Sequence, residues 1–503
     1  MNRDLHLKNG SKSGDFDRPP PFESGFVLMS VATLEPPPIE QPNEGRRARR
    51  LLLIAYNFPP VGGAGVQRPV KWAKYLGRAG WDVTVLTTLN PSVPVRDDSL
   101  LADLPPDVNV VRARTWEPDY RVKQNLNGPR SAARPGLIQT LRGAARGFVK
   151  RCVKLALQPD PQVLWNHDAI RVGARVLHEQ PHDAILVTAP AYSSFYIGAA
   201  LKRRFQLPLV LDYRDEWDLS GQYLENAQRD WISRAVQSRM QRQLLRCADA
   251  VVATTRRSTD ALAGKLAELR HHIPSHCIYN GYDAEDFFVP VAPAAQMLPP
   301  VAAGCDVTRP DRGTFRLVYT GTLWNLTDIE PLVRGIEQLE TVSPDLSRRL
   351  ELVCVGRKTP EQQAVLNRLC HTSARLVCID YCDHSTALQW LRSANGLCLL
   401  LSDVPGADRV VPAKLFEYLA VRKEMLAICP AGETADIVRR FFPHGQFTPH
   451  QIPVIVEWLQ QRLSRVQTTN DEPQVDDTAL GEFSRESQTR RLAEVLDSLV
   501  ASR

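Results

Sequence analysis

The sequence predicts an α/β protein built from two Rossmann-like domains, whose parallel sheets face each other across a cleft. Three observations carry this expectation. From Leu51 onward, short apolar runs alternate with stretches of helical spacing. The alternation breaks at the Pro- and Ala-rich stretch 289–313 and then resumes. The first connection, Phe58–Gly65, is a Pro/Gly loop between an apolar run and a helix. Apolar runs that are continuous rather than alternating mark strands buried on both faces, as in parallel sheets covered by helices.

The elements follow in order. Residues 1–47 are rich in Pro, Ser, Gly and charge and are expected to be a disordered extension. The first domain is placed at 48–288. It opens with a strand at Leu51–Tyr56, the Pro/Gly loop, a helix over Pro69–Gly80 that ends on Gly80, and a strand at Trp81–Leu86. Together these make one βαβ unit. Ala184–Thr188, Leu207–Asp212, Ala250–Ala253 and His276–Tyr279 are its further strands. A linker occupies 289–313. The second domain, 314–450, has strands at Phe315–Tyr319, Leu350–Val355, Leu376–Ile379, Gly396–Leu401 and Glu424–Cys429. A helical tail, 451–503, ends in a helix over Glu482–Ala501 and is expected to cross back to the first domain. In such sheets, ligands bind outside the carboxyl ends of the strands, where the strand order reverses.

Composition narrows the function. The chain has 503 residues, 43% hydrophobic and 23% charged, enough for two sizeable cores. A net charge of +6 is modest, and no nucleic-acid partner is expected without clustering of the basic residues. No apolar run approaches the roughly 18–20 residues that span a bilayer, and no secretory signal opens the chain. A cytoplasmic location is the expectation. The ten cysteines are irregularly spaced, and Cys354, Cys398 and Cys429 sit inside apolar runs, as buried thiols do. Cys370, His371, Cys378, Cys382 and His384 form no C-x-x-C pair, so no metal site is expected there. No Asp-x-Asp loop stands out, and no metal or cofactor beyond a donor substrate is expected.

Three loops carry the chemistry. Gly62 and Gly63 precede a helix, where a bare backbone can approach a phosphate or a sugar; a tight turn is the alternative. Arg68 stands where a dinucleotide fingerprint would need its third Gly. In Pro412-Ala413-Lys414-Leu415-Phe416-Glu417-Tyr418, Pro pre-sets a helix start, and Lys414 and Glu417 share one face. The ammonium suits a diphosphate and the carboxylate suits ribose hydroxyls; a surface ion pair is the alternative. Arg214 and Asp215 follow a strand and are the catalytic candidates. Arg214 would steady a leaving or acceptor phosphate, and Asp215 would orient an acceptor hydroxyl. An ion pair bracing the loop is the alternative.

These loops also carry a resemblance. "IAYNFPPVGGAGVQRPVKWAKYLGRAGWDVTVLTT", Thr188-Ala189-Pro190, Asp212–Trp217, Asn280-Gly281-Tyr282-Asp283, Tyr319-Thr320-Gly321-Thr322 and "VPAKLFEYLA" occur in that order. Over residues 50–440 the chain resembles family 4 glycosyltransferases of the GT-B fold, most of all a branch in surface-polysaccharide synthesis. The resemblance implies a hexosyl-type transferase acting with retention. It would use a nucleotide-sugar donor and a sugar or lipid-linked sugar acceptor, with Glu417 on the ribose. Two departures stand out. Arg409 occupies the first of the family's two Glu positions, eight residues apart, and Gly321–Asn325 replaces a usual Arg and Lys. Gly321, Thr322, Arg357, Lys414 and Leu415 are therefore the remaining donor-binding candidates. Two other functions stay open: a nucleotide-sugar epimerase of the same architecture, and a catalytically inactive nucleotide-binding or membrane-surface scaffold.

One segment lies outside these motifs. Arg121–Gln158 holds nine Lys or Arg and no Asp or Glu. Arg142, Arg146, Lys150 and Lys154 repeat at i,i+4, opposite a stripe with Phe148 and Leu155. This pattern suits a helix on the anionic inner membrane face, or equally a core helix with a solvated basic face.

Overall fold

A computed structural model describes residues 48–93, 95–118, 157–223, 230–287, 313–465 and 473–502. The expected extension, most of the linker, and Arg142, Arg146, Lys150 and Lys154 lie outside these residues.

The first sheet has seven parallel strands: β1 (Arg49–Ala55), β2 (Trp81–Thr88), β3 (Asn109–Ala113), β4 (Ala184–Ala189), β5 (Leu209–Tyr213), β6 (Ala250–Ala253) and β7 (Ser275–Cys277). Their order is β3-β2-β1-β4-β5-β6-β7. Leu51 lies opposite both Val83 and Ala184, so β1 is central and the order reverses between β1 and β4. Among the described residues, the helices that follow its strands are α1 (Gln67–Arg78), α2 (Asn166–Glu179), α3 (Ser194–Phe205), α4 (Trp217–Tyr223), α5 (Trp231–Leu245) and α6 (Arg256–Glu268). α1 ends two residues before Gly80, whose φ of +85° fits the left-handed stop seen after many helices.

The second sheet repeats the plan with β8 (Phe315–Thr320), β9 (Leu350–Val355), β10 (Arg375–Ile379), β11 (Gly396–Leu400), β12 (Glu424–Ile428) and β13 (Gln446–Phe447). The order β10-β9-β8-β11-β12-β13 reverses between β8 and β11. Its main helices are α7 (Glu330–Val342), α8 (Pro360–Asn367), α9 (His384–Arg392), α10 (Lys414–Val421), α11 (Glu433–Phe441) and α12 (Ile452–Arg465).

Each sheet is buried on both faces. Leu52 and Ile54 pack toward α2 and α3, while Leu51 and Leu53 pack toward α1. The last helix, α13 (Arg485–Ala501), adds Leu492, Val495 and Leu496 to this second layer, so the tail is part of the first sheet's core. Among the described residues, no helix is long and apolar enough to cross a membrane.

Candidate functional site

Both reversal points open toward one cavity of about 370 Å³. From the first sheet it takes Gly65, Arg214, Asp215, Glu216, Thr255 and Asn280; from the second, Trp324, Thr327, Gly406, Arg409, Pro412 and Ala413; from the tail, Arg485. A second cavity of about 310 Å³ lies against the first sheet alone, between the Pro/Gly loop and Pro190. Gly65 and Ser220 line both.

The β5 loop is built from the core outward. Asp212 is fully buried and takes both Nε and Nη2 of Arg68, at 3.2 and 2.8 Å, with Thr188 Oγ1 at 2.7 Å. Arg214 donates to Gly65 O at 2.5 Å and to Asp215 Oδ2 at 3.2 and 3.3 Å. It therefore ties the β5 loop to the Pro/Gly loop, while the Asp215 carboxylate keeps solvent access. Glu216 is buried beside Ser258 Oγ, and its carboxylate lies 3.2 Å from Arg409 Nε of the second sheet. Burial pushes the Glu216 pKa up, only partly offset by Arg409.

On the other side, β8 ends in a tight turn. Gly321 has φ +115°, and a Cβ there would lie 2.7 Å from Lys414 Nζ. Gly356, at φ +121°, packs directly on Gly321 O, so neither position tolerates a side chain without movement. Lys414 Nζ donates to Tyr319 Oη at 2.8 Å and Thr320 O at 2.7 Å, and sits 4.0 Å from the Tyr319 ring centroid. Burial pushes its pKa down to about 7.

Glu417 bonds elsewhere, to His384 Nε2 at 3.0 Å. His384 Nδ1 faces Asp286 at 3.9 Å, and Asp286 bonds Lys71 Nζ at 2.7 Å. Lys71 also meets Asp103 and Asp283, and Asp283 is shared with Lys74 and Tyr75. A chain of charges thus runs from α10 to α1. Burial opposes the His384 charge, but Glu417 and Asp286 outweigh it and hold its pKa above the usual imidazole value. Burial likewise opposes the Glu417 charge, and His384 outweighs it in the other direction.

With this geometry in place, the likeness to known proteins is specific. Residues 62–274 match the model of the glycosyl transferase 4-like domain. That match covers less than half of the chain. No curated protein matches the chain. Among solved structures, HepE of Anabaena, crystallised with UDP and glucose, shares 14% identity at a TM-score of 0.55, over 90% of this chain and 100% of that one. The α,α-trehalose 6-phosphate synthase of Burkholderia multivorans shares 12% at 0.56, over 91% and 100%. The N-terminal domain of trehalose-6-phosphate phosphatase of Candida albicans shares 10% at 0.56, over 91% and 98%. The two parallel sheets and these neighbours make the fold GT-B.

Not every candidate residue reaches the cleft between the two sheets. Arg214 and Asp215 line it. Gly62 lines the second cavity, and open space surrounds the Cβ position of Gly63. Gly321 and Thr322 form the β8 turn, whose later residues Trp324 and Thr327 reach the wall. The wall includes Pro412 and Ala413 but not Lys414, Leu415 or Glu417. Leu415 is fully buried in the core, where an apolar side chain belongs. Arg357 is exposed and off the wall, and its carbonyl holds Leu323 N at 2.8 Å. Lys414 and Glu417 do not form the surface pair that their spacing allows, because each is held by a residue distant in sequence. Sequence reasoning missed Glu216, His384 and Arg485 as site residues. Glu216 adjoins the catalytic candidates and was within reach, whereas the partners of His384 and Arg485 lie far along the chain.

Proposed function

We propose that the protein is a glycosyltransferase that holds a nucleotide-sugar donor in the cleft between its two sheets and passes the sugar to an acceptor bound against the first sheet. The observation that carries this reading is the cavity itself: carboxyl-end loops of both sheets converge on it, with Arg214 and Asp215 facing Pro412 and Ala413. The adjoining cavity, which shares Gly65 and Ser220, has room for the acceptor. A UDP-glucose complex of the structural neighbour HepE supports the choice of donor class. The protein's work would be positioning and charge stabilisation of a departing nucleoside diphosphate. Transfer with retention, a hexosyl group, and an acceptor in polysaccharide or glycolipid synthesis complete the proposal, with peripheral attachment to the inner membrane face through Arg142, Arg146, Lys150 and Lys154. Incubating the chain with labelled nucleotide sugars, with and without membrane extract, tests it. A labelled glycan formed only with extract supports transfer. Conversion of the donor sugar without any acceptor points to an epimerase instead.

A further inference from the structure

We infer that Arg485, the first residue of α13, is the anion-holding side chain of the cleft, and that it holds the diphosphate of the donor. The inference rests on the glycosyltransferase reading and assigns within it a residue outside the region that carries the family resemblance.

Burying a charge is costly unless a partner offsets it. Three arginines among the described residues are buried: Arg68, Arg316 and Arg485, at 2%, 3% and 5% exposure. Arg68 pairs with Asp212 and Arg316 with Glu351. The buried Lys71 and Lys74 also pair with carboxylates. Arg485 is different. It has no ion-pair partner among the described residues; its Nη2 donates to the neutral Gln67 Oε1 at 2.9 Å, and Nε and Nη1 have no partner there. The carboxylates of Glu417 and Asp286 act on it only from beyond ion-pair distance, so a desolvated guanidinium keeps N–H groups free for a closer anion.

Position supports the same conclusion. Arg485 lines the main cavity together with Asn280 and Ala413. The other arginines of that wall are committed: Arg68 to Asp212, Arg214 to Gly65 O and Asp215, Arg409 to Glu216. Arg485 is also held firmly. Its N–H donates to Tyr282 O at 2.7 Å, and its helix packs on α1 through Leu492 and Leu496. Gln67 fixes one edge of the guanidinium and leaves its other N–H groups free, and that planar fork matches phosphate oxygens.

Calorimetric titration of the full chain with UDP, GDP, ADP and dTDP, and with the matching nucleosides, tests the inference. For whichever base binds, Arg485→Gln should weaken the nucleoside diphosphate about 10–100-fold and leave the nucleoside unchanged. Arg485→Lys should recover part of the loss. Should Arg485→Gln fail to fold, Gln67→Ala releases the guanidinium without touching the contacts of Leu492 and Leu496, and should give a smaller loss in the same direction. Wild-type affinity for the diphosphate in a folded Arg485→Gln, or an equal loss for nucleoside and diphosphate, overturns the assignment and leaves the glycosyltransferase reading standing. If no nucleoside diphosphate binds the wild-type chain, that reading fails and takes this inference with it.

Discussion

Glu216 and Arg409 meet across the cleft, one from each sheet, with the carboxylate 3.2 Å from the guanidinium Nε. The Glu216 side chain is almost fully buried, while about a third of Arg409 stays exposed. Thr255, after β6, makes a second link to the same residue, its Oγ1 donating to Arg409 O at 2.9 Å. Where the family resemblance places a carboxylate, this chain has a cation, and it pairs with a carboxylate from the facing sheet.

Breaking this pair should therefore destabilise the protein in a pH-dependent way. Arg409→Ala strands a buried carboxylate, at a cost of about 1–3 kcal/mol near pH 8. The Glu216 pKa is already raised by burial, so the folded state takes up a proton readily as pH falls. The deficit should shrink toward pH 5, and Arg409→Ala with Glu216→Gln should recover most of it. Urea unfolding at the two pH values measures this; a pH-independent deficit would mean the pair carries no charge coupling.

Lys414 makes a second pH prediction. Its pKa falls from 10.5 to about 7 on burial, so the folded state binds fewer protons than the unfolded state between those values. That penalty is absent above pH 10.5, grows as pH falls, and is complete below pH 7. Lys414→Met removes it, so the variant should gain in melting temperature on the wild type as pH drops from 10 to 7. Parallel melting curves would count against a desolvated ammonium.

His384 and Glu417 should act as one unit in holding α9 against α10. Glu417→Gln and His384→Phe are each expected to cost about 1.5–3 kcal/mol of stability. Because the two share one hydrogen bond, the double variant should lose little more than either single one. Additive losses in urea unfolding, or unchanged stability with weakened donor binding, would mean that the pair does not act as this brace.

Arg214→Ala and Asp215→Asn should lower turnover about 100-fold while nucleoside diphosphate affinity stays nearly intact. Both residues lie on the first-sheet side of the cavity, away from Pro412 and Ala413. Equal losses of rate and of nucleotide affinity would move them to the donor side.

Most of the scaffold was legible in the sequence, for a physical reason. A parallel strand covered on both faces must be apolar throughout, and Leu350–Val355 and Ala250–Ala253 occur where their runs predict. Asn109–Ala113 escaped notice because it is an edge strand, mostly half-exposed, with a mixed sequence. Gln446–Phe447 is too short to leave a pattern. The site was less legible than the scaffold. Arg68, Lys71 and Lys74 suggest a solvated helix face, yet all three are buried. Their carboxylates, Asp212, Asp283 and Asp286, come from the far side of the domain, and no local spacing announces them. Arg485 shares this character: it bonds Gln67 across 418 positions.

The central claim is that a nucleotide sugar occupies the cavity between the two sheets. Titrating the full chain and Ala413→Trp with UDP-glucose and GDP-mannose tests it most directly, since a Trp side chain at position 413 would fill part of that 370 Å³ space. The account predicts saturable binding of one of the two donors to the wild type, and loss of that binding in a variant that keeps its melting temperature. Unchanged binding by a folded Ala413→Trp would place the donor elsewhere and contradict the account.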